Sequence, residues 1–187
     1  MQIRKPAVAG QFYPEDRETC LAEIRACLPK EVPAEGLPDP LLGGLVPHAG
    51  WTFSGALAAL VFAAIKRRRD TVATFVVFGA AHGYFGAKPV IDASEAWDTP
   101  LGRTHLDESL RQTLCDRGVA VIDASPHRRE HSIEVQVPFL QHLFPEAWLL
   151  PIIVPANDSA VELGNALAEH AQTSDVAVVY LGSTDLT

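Results

Sequence analysis

The stretch Thr74-Phe75-Val76-Val77-Phe78-Gly79-Ala80-Ala81-His82-Gly83 decides the fold. Its first five residues are β-branched and aromatic, the signature of a short strand buried on both faces. A glycine-containing loop over residues 79–86 follows at once. Working outward, strand-like runs recur at residues 41–46, 119–122, Trp148–Val154 and 176–181. Helical segments separate them. Residues 54–66 are apolar and alanine-rich, with Ser54 as the expected N-cap and Lys66-Arg67-Arg68-Arg69 at the end where the helix dipole favours cations. Asp107 is placed to cap a helix reaching Arg117, with Gly118 at its C′ position. Residues 132–144 read as a helix that Pro138 should kink or break. Ser159 and Glu162 have capping-box spacing before a helix to about Ala171. A further helix is expected near residues 16–28, and the turn-rich residues 97–102 suggest a hairpin. This alternation predicts an α/β fold, a mostly parallel mixed sheet with helices on both faces.

Composition narrows the class. The chain has 187 residues, 48% of them apolar and 20% charged, with a net charge of −8. That is enough apolar material for a core, and a single domain over residues 1–187 is expected at about 150 residues per domain. Three cysteines are too few for a disulfide scaffold, and Cys20 and Cys27 lie about 10 Å apart along one predicted helix, too far to be bridged. No apolar run approaches the ~20 residues of a membrane span, and the first residues carry no signal-peptide pattern. A cytoplasmic location is the expectation. The acidic balance disfavours a general nucleic-acid binder, and a membrane partner is not expected. The sequence stops at Gly182-Ser183-Thr184-Asp185-Leu186-Thr187, just past a buried strand, where an α/β unit would continue into a covering helix. The expectation is a fold lacking a C-terminal part.

In open α/β sheets, ligands bind beyond the carboxyl ends of the strands. There the sequence places Pro47-His48-Ala49-Gly50-Trp51, then Gly79-Ala80-Ala81-His82-Gly83, then a loop with His127, Glu130 and His131, and last Ser183 and Asp185. Imidazoles bind divalent transition metals, and two histidines with one carboxylate form the facial site of non-haem iron(II) oxygenases. His48 and His82 are therefore the candidate metal ligands, and Glu130, Glu134 or Asp185 can supply a carboxylate. No G-x-S-x-G elbow, P-loop or G-x-G-x-x-G offers another chemistry.

Plainer roles stand beside these. His105, His142 and His170 read as structural or surface residues, and His127 as exposed beside Arg128 and Arg129. Glu130 and Ser132 have helix-capping chemistry, and Asp185 suits a turn. Trp51 and Phe53 are candidates for the core, or with Tyr84, Phe85 and Glu130 for a cleft that takes a substrate or peptide.

Several motifs together carry a resemblance. Arg4-Lys5-Pro6-Ala7-Val8-Ala9-Gly10-Gln11-Phe12-Tyr13-Pro14 resembles the start of the Memo-like family, whose bacterial and archaeal members are often called AmmeMemoRadiSam system protein B. Residues 47–55, the Trp97-Asp98-Thr99-Pro100-Leu101-Gly102 turn, Glu130-His131-Ser132-Ile133-Glu134 and Ser183-Thr184-Asp185 are similar to that family's segments in the same order. The resemblance implies a fold like that of class III extradiol dioxygenases and a non-haem iron(II) or copper site on His48 and His82. His131 and Asp185 would then steady the ligands or handle protons. The family's third ligand, a cysteine, and a further site histidine would fall beyond residue 187. None of Cys20, Cys27 and Cys115 matches that cysteine, and Gly83 stands where many members have a second histidine. Three roles follow from the resemblance: a redox or oxygen-related metal protein, a true ring-cleaving dioxygenase, or a peptide- or protein-binding module on a vestigial site. The partners it implies are a radical SAM protein and an AMMECR1-like protein.

Overall fold

A computed structural model describes residues 2–33, 35–174 and 176–185. In chain order the elements are β1 (Ile3–Arg4), α1 (Arg17–Cys27), β2 (Gly43–Val46), α2 (Trp51–Arg68), β3 (Thr74–Ala80), β4 (Val90–Ile91), β5 (Ala96–Thr99) and β6 (Gly102–His105). They continue with α3 (Glu108–Asp116), β7 (Val121–Ile122), α4 (Val137–Leu143), β8 (Trp148–Val154), α5 (Ser159–Thr173) and β9 (Val178–Ser183). Two 3₁₀ turns, Pro126–Arg129 and Glu134–Gln136, precede α4.

Six strands form the main sheet in the order β2-β9-β3-β8-β4-β7. The first four run parallel, β4 pairs antiparallel with β8, and β7 pairs parallel with β4. A small sheet of β1, β5 and β6 holds the expected hairpin. The period of two along each strand sorts the core into two layers. Phe75, Val77, Leu149, Val179 and Leu181 pack with Phe62, Ile65 and Phe139 of α2 and α4. Val76, Leu150, Ile152 and Val178 pack with Leu110, Leu114, Leu163 and Leu167 of α3 and α5. Helices thus cover both faces, as the unbroken apolar runs of β3 and β8 require.

Local chemistry explains where the boundaries fall. Asp107 accepts a hydrogen bond from the Leu110 amide at 2.9 Å and starts α3, and Gly118 closes it at φ +72°. Pro138 lies in the first turn of α4, where its missing N–H breaks no helical bond. Two expected caps are absent. Helix α2 begins at Trp51 with Gly50 as its N-cap, and the Ser54 hydroxyl donates instead to Ala49 O at 2.7 Å. Helix α5 is preceded by Asp158, and the Ser159 hydroxyl turns to Asn157 Oδ1 at 2.6 Å instead of forming a capping box.

One correction concerns the strand ends. Because β7 runs with β4 and against β8, its carboxyl end faces away from the edge where β2, β3 and β9 finish. The chain must return across the sheet before His131 can join the others, and it does so through the turn Pro126–Arg129. His127 within that turn is fully buried, not exposed, and its Nε2 bonds Val90 O at 3.1 Å.

Candidate metal centre

Strands β2, β9 and β3 are adjacent and parallel, so the residues just beyond them share one edge. His48 lies two residues past Val46, His82 two past Ala80 and Asp185 two past Ser183. The fourth group, His131, arrives on the segment between the two 3₁₀ turns. Gly79 makes room for that segment: a Cβ there would fall 2.6 Å from Ile133 Cγ1 and 2.7 Å from Ser132 Oγ. Ser132 Oγ accepts from the Ala80 amide at 3.0 Å and fastens the segment to the end of β3.

The three imidazoles form one cluster. Ring centroids are 5.2 Å apart for His48 and His82, 5.7 Å for His48 and His131, and 4.8 Å for His82 and His131. One nitrogen from each lies within 4.8 Å of the other two, close enough to share one ion. His131 thus stands beside the two candidate ligands as a third imidazole that could hold a metal; the resemblance gives it a supporting role and implies a cysteine beyond residue 187 as third ligand. The carboxylate of Asp185 lies 3.1 Å from His48 Nε2 and 4.0 Å from His82 Nε2.

Hydrogen bonding fixes the protonation of His48. Ser183 Oγ has one proton, and it is donated to Ser132 O at 2.6 Å. Toward His48 Nδ1, 3.2 Å away, that hydroxyl can therefore only accept. Nδ1 carries the hydrogen, and the lone pair sits on Nε2. Nε2 is buried and makes no hydrogen bond among the described residues, and an Asp185 carboxylate oxygen faces it at 3.1 Å. Two acceptors in that position need a cation between them, a proton or a metal. Burial pushes the His48 imidazole below its ordinary pKa, outweighing the pull of Asp185. Burial and the neighbouring His82 ring do the same to His131. Both rings are therefore weaker bases than a free imidazole, so a proton competes less with a metal for their lone pairs. The donor set fits such an ion, since neutral imidazole with an adjacent carboxylate suits iron, copper and related metals.

A buried scaffold holds this arrangement. The Glu134 carboxylate accepts from the Ala7 and Val8 amides and the Tyr13 hydroxyl, and pairs with Arg4 at 2.8 Å. The Arg4 guanidinium also donates to His127 O and Glu130 O, and lies 4.0 Å over the Trp97 ring. The N-terminal segment is in this way clamped to both sides of His131. Gln136 Nε2 donates to Pro47 O at 2.8 Å, tying the His48 loop to the second 3₁₀ turn.

The other candidates separate. Glu130 is buried, and its carboxylate accepts from the Ser132 hydroxyl and the Ile133 amide, so it caps the turn that follows. Burial raises its pKa. Trp51 belongs to the core, not a cleft: its indole packs 4.5 Å from Phe139 and donates to Val135 O at 2.9 Å. Phe53 stands 84% exposed on the first turn of α2, away from the cavity. Tyr84 and Glu130 do line a cavity of about 520 Å³ that His82 and His131 border. Cys20 and Cys27 lie in α1 and Cys115 in α3, and burial pushes the Cys20 thiol up to about 12. Sequence reasoning missed Arg4 and Gln136 as positioning residues. For Gln136 the available signal was an amide side chain between the apolar Val135 and Val137; Arg4, between Ile3 and the exposed Lys5, offered no such pattern.

Comparison with known proteins agrees with this architecture. The family described as Memo-like protein matches residues 4–187. The chain is 39% identical to a MEMO1 family protein of Methanosarcina mazei over all of its own length and 68% of the relative's. It is 37% identical to one from Methanococcoides burtonii, covering 98% of this chain and 67% of that protein. A third, from Thermococcus onnurineus, is 38% identical over 98% of this chain and 64% of its own length.

Proposed function

The chain belongs to the Memo-like protein family, and on that premise we propose that His48, His82 and His131 hold a non-haem iron or copper ion that serves redox or oxygen-related chemistry. The observation that carries this reading is the buried, unbonded Nε2 lone pair of His48, aimed at a carboxylate beside two further imidazoles. A bound iron or copper ion would supply one-electron and oxygen chemistry. The protein's own residues do the rest. Ser183 holds the His48 ring in the tautomer that presents Nε2. Asp185, 72% exposed, is placed to offer an oxygen as a fourth donor or to take a proton from a group bound at the cluster. The cavity beside His82 and His131 gives a small molecule a place next to them.

The test is metal content. The wild-type chain, stripped and reloaded anaerobically with iron(II) or with copper, is expected to retain one ion. His48→Ala and His82→Ala are expected to lose it. Unchanged metal content in both variants would refute the proposal.

The cavity also favours a second reading, a ring-cleaving dioxygenase in which a diol enters that space. Oxygen uptake by the iron-loaded chain with a panel of catechols separates the two. Turnover would establish the second reading, and its absence would leave metal binding alone.

A further inference from the structure

The cavity beside the cluster carries two cations that no acid among the described residues pairs with. In a chain of net charge −8, its walls carry Arg128 and Arg129 beside the imidazoles of His82 and His131. Both arginines are exposed, and neither guanidinium has a hydrogen-bond or ion-pair partner among the described residues. The acids on the same wall accept from donors of their own segment, and neither pairs with these arginines among the described residues. Asp123 Oδ1 accepts from the Ser125 amide at 2.8 Å, and Glu130 is bound to Ser132 and Ile133. Most other arginines of the protein are tied down. Arg4 clamps the His131 segment, Arg103 pairs with Asp98, Arg117 with Glu169, and Arg111 binds Asp92 O and Ser94 O. Two adjacent free guanidiniums at a concave site are therefore not explained by the fold.

A guanidinium fork matches the paired oxygens of a carboxylate or phosphate, and it does so best where a cavity limits water. About 520 Å³ accommodates a small organic molecule. We infer that this cavity binds a small organic oxyanion, its carboxylate or phosphate held by Arg128 and Arg129 and its remaining body extending toward His82 and His131. The inference deepens the proposed function, because it names the class of molecule presented to the cluster. It rests on that reading for its meaning, but not for its test.

The probes are benzoate and inorganic phosphate, with neutral benzamide as the isosteric control. Each is titrated into the metal-free chain and followed by NMR of the backbone amides around the cavity and, where they are present, of the arginine Nε–H groups. Benzoate or phosphate is expected to bind and benzamide to fail. Each of Arg128→Gln and Arg129→Gln is expected to weaken binding by about tenfold. The double lysine variant should recover part of the loss. Because both side chains are exposed, the glutamine variants should fold, which far-UV circular dichroism checks. Whichever of benzoate and phosphate binds more tightly identifies the anionic group. Equal binding of benzoate and benzamide, no binding of either anion, or unchanged affinity in the double glutamine variant would each overturn the inference. Metal retention is read on separate portions of the same preparations, reloaded anaerobically with iron(II). His48→Ala should lose metal yet keep the anion, so failure of the metal reading and failure of this one give different results.

Discussion

Ser183 has one hydroxyl proton, and its use decides which nitrogen of His48 faces the cluster. Ser183→Ala removes the acceptor for His48 Nδ1–H and frees the ring to turn. Metal affinity, read by competition with a chelator, should fall about 10–100-fold, with little change in secondary structure. Equal affinity in the variant would count against the orienting role. Glu134 is the opposite case, a charge used for architecture. Glu134→Ala strands the buried Arg4 guanidinium and leaves two amides and a phenol unpaired, so a loss of about 3–5 kcal/mol in denaturant unfolding is expected. His127 sets a pH dependence. Burial is the main cause that lowers its pKa to about 4, and among the described residues its Nδ1 has no hydrogen-bond partner. The unfolded chain, titrating near 6.5, takes up that proton first as the pH falls. The contribution of neutral His127 is therefore complete above about pH 6.5 and is lost progressively down to about 4, on the order of 3 kcal/mol in all. Asp92 and Asp123 moderate the shift and Arg4 adds to it. Denaturant midpoints between pH 7 and 4 should fall more steeply for the wild type than for His127→Gln.

The decisive contact between elements is the one between the end of β3 and the segment that carries His131. Gly79→Ala would drive a methyl group into Ile133 and Ser132, and overpacking of this kind costs about 1–3 kcal/mol. The strain falls on the residues flanking His131, so metal retention should drop along with the melting temperature. A variant that destabilises elsewhere gives the contrast. Asp107→Ala removes the cap of α3 and the acceptor for Thr74 Oγ1 at 2.7 Å. It should cost about 1–2 kcal/mol while leaving metal content intact. Most elements were legible in the sequence because their signals are local. β3 and β8 are apolar runs bounded by turns, and Asp107 and Gly118 mark the ends of α3. Ser54 and Ser159 misled as caps because a hydroxyl bonds whichever carbonyl or amide oxygen the tertiary fold brings near.

At the scale of the whole molecule, two core layers sandwich a sheet whose parallel strands end at one edge, and that edge collects the histidines. Among the described residues no helix is long and apolar enough to cross a membrane. The sequence by itself determined the α/β class, the two-sided burial of the central strands and the family. Each of these rests on periodicity, composition or contiguous motifs, which are properties of the chain read in order. It also placed His48 and His82 at strand ends, since a strand followed by a glycine loop is local information. Only the tertiary structure decided that His131 joins them in one cluster of three imidazoles. That outcome depends on β7 running against the parallel core, on the chain's return across the sheet, and on a clamp between Arg4 and Glu134. Residues so far apart meet only when the fold closes, and no periodicity encodes that meeting. The same holds for Trp51, which a sequence reading leaves free to line a cleft. Packing against Phe139 and the carbonyl of Val135 fixes it in the core, because a buried indole needs both an apolar face and an acceptor for its N–H.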